Sequence, residues 1–426
     1  MQQIKFIDLF SGMSGIRKGF EQACRKQSVA CECVFTSEIK PAALEVLKQN
    51  YPDEVPYGDI TKIETGDIPD FDILLAGFPC QAFSFAGKRL GFEDTRGTLF
   101  FDVARILKAK KPKGFILENV EGLVTHDRKD PTQKIGRTLT VILETLEALG
   151  YYVSWKVLNA KDFGIPQNRK RIYLTGSLKS KPDLSFETTL SPKLKNILES
   201  GLPTESSPFI KKLLKKFPPS ELYGKSVKDK RGGKNNIHSW DIELKGTVTE
   251  EEKQLLNMLL KERRKKKWAS EIGIDWMDGM PLTKAQISTF YKHPDLQNIL
   301  NSLTDKGYLV LEHPKQKIGG RRIKDESLPK GYNIVSGKKS FEINKILDPN
   351  DVAPTLVAMD MEHLFVVDNG GLRTLTGKEG LRLFGYPDDY SFDIPKKDKY
   401  DLLGNTVAVP VIKAVSERLL HTFINR

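Results

Sequence analysis

From residue 4 to about 178, short apolar runs alternate with amphipathic ones. IKFIDLF is followed by GIRKGFEQACRK, ACECVFTSEI by PAALEVLKQNY, DILLAGF by TLFFDVARILKAK and KGFILENV by RTLTVILETLEALG, with YYVSWKVLNA and RIYLTGSL closing the series. This rhythm, with its short strand-to-helix turns, predicts an α/β fold built on a doubly wound, mostly parallel sheet. Ligands in such sheets sit beyond the carboxyl ends of the strands, so chemistry is to be sought where each apolar run stops.

The rhythm fails between about 185 and 355, where prolines and basic runs accumulate around helix-like stretches such as TEEEKQLLNMLLKERRKKKW. It resumes with HLFVVD as a strand, RTLTGKEGLRLFGYP as a helix and GNTVAVPVIKAVSERLLHTF as an amphipathic helix able to return to the first domain. The expected boundaries are 1–180, a second and smaller domain over 185–358, and a hinge segment with the last helix over 362–426. Hydrophobic residues make up 39% and charged residues 29%, the balance of a globular chain. No apolar run approaches the roughly 20 residues that cross a bilayer, and MQQIKFIDLF lacks the regions of a signal peptide, so a cytosolic location and no membrane partner are expected. Cys24, Cys31, Cys33 and Cys80 show no paired spacing, which disfavours disulfides and a metal site. The net charge of +12 favours a polyanionic partner, and three basic runs in the middle of the chain, FIKKLLKKF, GKSVKDKRGGKNN and KERRKKKW, strengthen nucleic acid over mere solubility.

Each apolar run ends on residues with two readings. In FIDLFSGMSGIRKGFE the glycines Gly12, Gly15 and Gly19 either let backbone approach a ligand at a helix start or simply make a tight turn; their spacing is not GxGxxG. Glu38 in FTSEIK suits a pair of ribose hydroxyls, or a helix start. Asp59 in YGDITKI suits an adenine amino group, or caps a turn. Cys80 in LLAGFPCQAFS is placed as a nucleophile would be, or is a small buried residue. The following loop, with Gly87, Gly91, Gly97, Lys88, Arg89 and Arg96, is glycine-jointed and basic enough to close over a phosphodiester. Glu118 in GFILENV is a proton donor half-shielded from water, or a cap. Arg169 and Arg171 in QNRKRIY share one face at the entry to a strand, as oxygen-holding cations or surface ion pairs. In the middle region GKNNIHSWDIELKG, with Asn235, Asn236, His238 and Trp240, and QKIGGRRI carry side chains suited to base edges, or else to phosphate contact or plain loop structure, and no single residue is assigned to reading bases.

Taken in order, DLFSGMSGIRKGFE, GDI, GFPCQAFSFAG, ENV, QNRKRIY, RTLTGKEGLRLFGYP and GNTVAVPVI resemble the cytosine-5 DNA methyltransferase family of the prokaryotic restriction-modification type. The resemblance covers most of 4–178 and 362–426; the middle region matches by position alone, as a target-recognition domain. It implies a fold that binds S-adenosylmethionine and releases S-adenosylhomocysteine. Phe10, Ser11, Gly12 and Gly15 would hold this cofactor, Glu38 its ribose, Asp59 and Ile60 its adenine, Asn405 to Val407 would close the pocket from the C-terminal side, and Ile39 and Pro79 would also bind the cofactor. The resemblance also implies Cys80 as the nucleophile on carbon 6 of a flipped cytosine, Glu118 at ring nitrogen 3, Arg171 on the base oxygen with Arg169 in support, and Gln81, Ser84, Lys88 and Arg89 on the active-site loop. Double-stranded DNA would be the partner of a monomer without metal, beside a separately acting cognate endonuclease. The alternatives are the family's tRNA-modifying branch and a catalytically silent DNA-binding regulator. An amino-methyltransferase is disfavoured, because Pro79-Cys80 stands where an Asn/Asp-Pro-Pro-aromatic turn would.

Overall fold

A computed structural model of the chain describes residues 3–79, 99–130, 132–318, 321–335, 341–358 and 360–423. These pack as two compact units, one of residues 1–199, 349–361 and 375–426, the other of 200–348 and 362–374.

The first unit begins with β1 (Ile4–Leu9), α1 (Gly15–Lys26), β2 (Cys31–Ser37), α2 (Pro41–Asn50), β3 (Ile73–Ala76), α3 (Leu99–Lys110), β4 (Gly114–Val120), α4 (Arg137–Ala148), β5 (Tyr152–Asn159), β6 (Gln167–Asn168) and β7 (Lys170–Ser177). Six strands form one sheet in the order β2-β1-β3-β4-β7-β5. β1 runs parallel to β2 and β3, and β3 parallel to β4, while β7 lies antiparallel between β4 and β5. The doubly wound, mostly parallel sheet is therefore present. Successive side chains of a strand point to opposite faces, and here both faces are covered. Ile7, Leu9, Leu74, Ala76 and Leu117 pack with Phe100 and Val103 of α3 and Ile142 of α4. Ile4, Phe6, Ile73, Leu75 and Ile116 pack on the other side with Ile16 and Phe20 of α1 and with Val411, Ile412 and Val415 near the C-terminus. That double burial is why β3 reads ILLA without alternation. Since β1 has β2 on one side and β3 on the other, the strand order reverses beside it, and a crevice opens there at the carboxyl edge.

The second unit contains α5 (Pro208–Lys216), β8 (Ser226–Val227), β9 (Asn236–Ile237), α6 (Glu250–Glu262), α7 (Lys267–Glu271), α8 (Lys284–Ser288), α9 (Leu296–Asp305), β10 (Leu309–Glu312), β11 (Lys315–Ile318), β12 (Arg321–Lys324), β13 (Gly331–Ile334) and β14 (Lys345–Ile346). α6 starts at a capping box in which Thr249 and Glu252 satisfy each other's backbone amides. It turns Leu255, Leu256, Leu259 and Leu260 into a core shared with Trp240, Trp268, Leu300 and Leu303. Burial decides between the open readings of two segments here. Trp240 is 2% exposed and His238 6% exposed. The His238 ring stacks on Trp240 and its Nδ1 lies 2.6 Å from the Lys228 carbonyl, so both are interior residues rather than base readers. In KERRKKKW, Arg263 is buried and donates to Asn333 Oδ1 at 2.8 Å, while Arg264 pairs with Asp278 at 2.6 Å.

The chain returns by a different route from the expected one. β15 (Ala353–Pro354) pairs with β6 in the first unit, which carries 349–361 there. β16 (Leu364–Asp368) and β17 (Gly371–Thr374) form a hairpin, and β16 pairs with β14, so 362–374 belongs to the second unit rather than to the C-terminal segment. RTLTGKEGLRLFGYP is accordingly not one helix. Arg373 and Thr374 are extended in β17, and α10 (Gly377–Phe384) starts only after the Thr376 hydroxyl accepts the Glu379 amide. α11 (Lys396–Asn405) and α12 (Val409–Leu420) complete the first unit, α12 packing along α1.

Candidate active site

The turn from β1 into α1 is wound tightly: Phe10, Gly12 and Ser14 each have φ of 53°. Only glycine takes that conformation without cost, which accounts for Gly12. The Gly12 amide donates to Glu38 Oε2 at 2.7 Å, and the Ile39 and Lys40 amides donate to Glu38 Oε1 at 2.7 and 2.8 Å. Glu38 thus serves both as the acid before α2 and as the tie between the ends of β1 and β2. Asp59 accepts from the Thr61 amide at 3.1 Å and hydroxyl at 2.7 Å, which hold its carboxyl below the usual range, so the capping reading of Asp59 is realised.

A cavity of about 470 Å³ lies against this edge. Phe10, Ser11, Gly12, Gly15, Glu38, Ile39, Asp59, Ile60, Pro79, Asn405 and Val407 all line it, so every residue expected at the cofactor meets in one place. The lining combines apolar faces with an acid and a buried hydroxyl. Ile39 is 67% exposed and offers a bare apolar face to an aromatic base, and Glu38 stands beside it. The Ser11 hydroxyl is buried and has no hydrogen-bond partner among the described residues. Gly15 has a separate reason: a Cβ there would fall 2.6 Å from Tyr386 Oη, 2.8 Å from Val407 Cγ2 and 2.9 Å from Thr406 Oγ1. Its bare backbone lets α1 approach the segment that closes the cavity.

The same cavity reaches Glu118, Asn119, Arg169 and Arg171. Antiparallel pairing puts Val120 opposite Arg171, so the end of β4 and the start of β7 meet at the carboxyl edge. Arg171 Nε is 3.2 Å from Glu118 Oε1. Burial pushes the Glu118 carboxyl above the usual carboxylate range, against the opposing pull of Arg171 and Arg169. Arg169, 2% exposed, donates through its terminal nitrogens to the carbonyls of Leu356 at 2.8 Å, Gly404 at 3.2 Å and Thr406 at 2.6 Å. Its guanidinium therefore clasps the GNTV turn, and the geometry makes it a positioning group more than a partner of Arg171. Burial lowers its pKa to about 10, which leaves it cationic at neutral pH. Asn119 Nδ2 donates to the Phe78 carbonyl at 2.9 Å and so holds the backbone that leads to position 80. Cys80, Gln81, Ser84, Lys88 and Arg89 lie outside the described residues.

Comparison with known proteins decides what kind of site this is. The pattern of the C-5 cytosine-specific DNA methylase family matches residues 4–421. The chain belongs to that family. It is 99% identical over 422 residues to the type II methyltransferase M.NlaIV of Neisseria lactamica, an alignment covering 99% of this chain and 100% of that protein. It is 42% identical over 448 residues to M.BanI of Aneurinibacillus aneurinilyticus, covering 99% of this chain and 97% of the relative. Among solved structures, the fold matches the Schizosaccharomyces pombe Dnmt2 methyltransferase with a TM-score of 0.54 and 16% identity over 98% of both chains.

In this methylase the cavity edge is also braced by contacts that no single motif contains. Tyr386 and Tyr390 both donate to the Met13 carbonyl, at 3.3 and 2.7 Å, and fix the turn of Gly12 from below. Lys40 lines the cavity and pairs with Asp401. These partners stand more than 350 positions apart in sequence, so no local pattern relates them. Asn119 was visible as the second letter of ENV, but its bond to Phe78 depends on β3 and β4 being neighbours.

Proposed function

We propose that this DNA cytosine-5 methyltransferase draws its methyl group from S-adenosylmethionine held at the carboxyl edge of the sheet. One observation supports the reading above others: the lining expected for an adenosyl group and the Glu118–Arg171 pair belong to the same cavity. Phe10 and Ile39 flank the base, Glu38 takes the ribose, the Asp59–Ile60 corner takes the adenine edge, and Ser11, Gly12, Gly15, Pro79, Asn405 and Val407 shape the remaining wall. When bound, the cofactor supplies an electrophilic methyl on a sulfonium and is left as S-adenosylhomocysteine.

The chain's own groups make the acceptor. Carbon 5 of cytosine is a weak nucleophile, and a covalent intermediate divides one hard step into two easier ones. Cys80, as thiolate, bonds to carbon 6. Glu118 delivers a proton at ring nitrogen 3, the ring becomes an enamine, and carbon 5 is then reactive. Arg171 holds the base oxygen, and Arg169 keeps the cavity wall in place. After methylation, loss of the carbon 5 proton expels the thiolate and restores aromaticity. The thiolate must approach above the ring plane, so the cytosine has to leave the duplex, at a cost of roughly a few kcal/mol. Basic contacts and the loop bearing Gln81, Ser84, Lys88 and Arg89 offset that cost.

The name type II methyltransferase carried by its relatives supports a role in restriction-modification, and the DNA methylase family supports duplex DNA as substrate in preference to the tRNA-modifying branch. Work as a metal-free monomer in the bacterial cytosol, beside an endonuclease that acts separately, completes the reading. Bisulfite sequencing of DNA from cells expressing the chain tests it: protected cytosines at one recurring duplex sequence are expected, and full conversion everywhere would overturn it.

A further inference from the structure

Several long cations of the second unit have an acidic partner. Lys216 pairs with Glu243 at 3.0 Å, Lys253 with Asp241 at 3.1 Å, Arg264 with Asp278 at 2.6 Å, Lys265 with Glu262 at 2.5 Å and Lys306 with Glu252 at 2.8 Å. The antiparallel ribbon of β11 and β12 is different. Its register sets Lys315 opposite Lys324 and Lys317 opposite Arg322. These pairs lie two positions apart, so all four cations share one face of the ribbon, and Gln316, Arg321 and Ile323 fall on the other. None of the four has an ion pair among the described residues. All four residues of β12 are exposed.

Like charges directly opposed across a ladder destabilise it, and a two-stranded ribbon is marginal to begin with. An acid beside the face, Asp275, lines with Trp276 a cleft of about 250 Å³ shared with Lys315, Lys317 and Arg322. One carboxylate cannot neutralise that face. Trp276 is 39% exposed, and its indole N–H donates to the Arg264 carbonyl at 3.0 Å, so the ring beside the cations is fixed in place. A repulsion left uncompensated in the protein is relieved by a polyanion, and the major groove of B-DNA admits a two-stranded ribbon.

We propose that Lys315, Lys317, Arg322 and Lys324, the cationic face of the β11–β12 ribbon, grip the phosphate backbone of the DNA substrate. The assignment rests on the reading of the enzyme as a duplex-DNA methyltransferase. These contacts supply affinity and register, not choice of sequence.

The test compares the full-length enzyme with its K315Q/K317Q/R322Q/K324Q variant on a duplex carrying the sequence found by bisulfite sequencing. Removing one cation from a phosphate lowers the slope of log affinity against log salt by about 0.9, so a fall of roughly 3 to 4 is expected, with weakening of about ten-fold or more at low salt. Turnover at saturating DNA, S-adenosylmethionine binding and the methylated sequence should stay as in the wild type, and R321Q, on the opposite face, should change the slope much less. An active wild type whose quadruple variant keeps the same salt slope would overturn the ribbon assignment alone, as would a changed methylated sequence at unchanged slope. A wild type that methylates no duplex would overturn both it and the reading beneath it.

Discussion

Asn119 Nδ2 donates to the Phe78 carbonyl at 2.9 Å, joining the end of β4 to the backbone two residues before Cys80. The bond is buried, so Asn119→Ala leaves the Phe78 carbonyl unsatisfied, at a cost of about 1–3 kcal/mol. Turnover should fall ten-fold or more while cofactor affinity changes little. Single-turnover methylation together with cofactor titration checks the split; equal loss in both would show that Asn119 supports the fold at large.

Glu118 acts in its protonated form in this account, and burial raises its pKa. Activity should therefore decline as pH rises through that raised value. Glu118→Gln should lower turnover by roughly 10²–10⁴-fold and remove that alkaline limb. A pH–rate profile of both proteins measures it, and an identical limb in the variant would assign the titration to another group.

Gly15→Ala would put a methyl group within 3 Å of Tyr386, Thr406 and Val407. Overpacking of this kind costs typically about 1–3 kcal/mol. A lower Tm is expected, with cofactor affinity falling further than Tm alone would explain, because the displaced residues include cavity wall.

Asp8 is 1% exposed, and neither of its oxygens has a hydrogen-bond partner among the described residues. Burial raises its pKa to about 8; Arg17 pulls the other way, and Glu21, Glu38 and Glu54 add to the rise. The folded chain thus keeps a proton that the unfolded chain releases near pH 4. The stability linked to this group is complete below that value and is lost as pH rises, until about 8. Asp8→Asn should therefore gain relative to the wild type by up to about 1.4 kcal/mol per pH unit across that window. Denaturant melts at several pH values measure the difference; a difference independent of pH would show Asp8 to be ionised in the fold.

The first unit was largely legible because its signals are local. A run such as ILLA can satisfy both faces of a covered sheet, and Phe10 to Gly15, Glu38 and Glu118 each end a strand, so the sheet gathers them without further instruction. The second unit was less legible. Asn, His and Trp in GKNNIHSWDIELKG read alike whether they face DNA or a core, and only burial separates His238 and Trp240 from a recognition surface. Arg373 and Thr374 resembled a helix start because the motif was read without the strand before it: β16 pairs with β17 as a hairpin and also with β14, which lies outside the motif. Arg169 shows the same limit within the site: its neighbours Leu356, Gly404 and Thr406 are about 190 to 240 positions away.

The central claim is a bond between the Cys80 sulfur and carbon 6 of the target base. A duplex with 5-fluorocytosine at the methylated position blocks the loss of the carbon 5 substituent that releases the enzyme. Incubated with S-adenosylmethionine, denatured and digested for mass spectrometry, the wild type should yield a covalent DNA adduct on the peptide containing Cys80, and Cys80→Ser should yield none. An adduct on another residue, or none on a duplex that the wild type demonstrably methylates, would contradict the account.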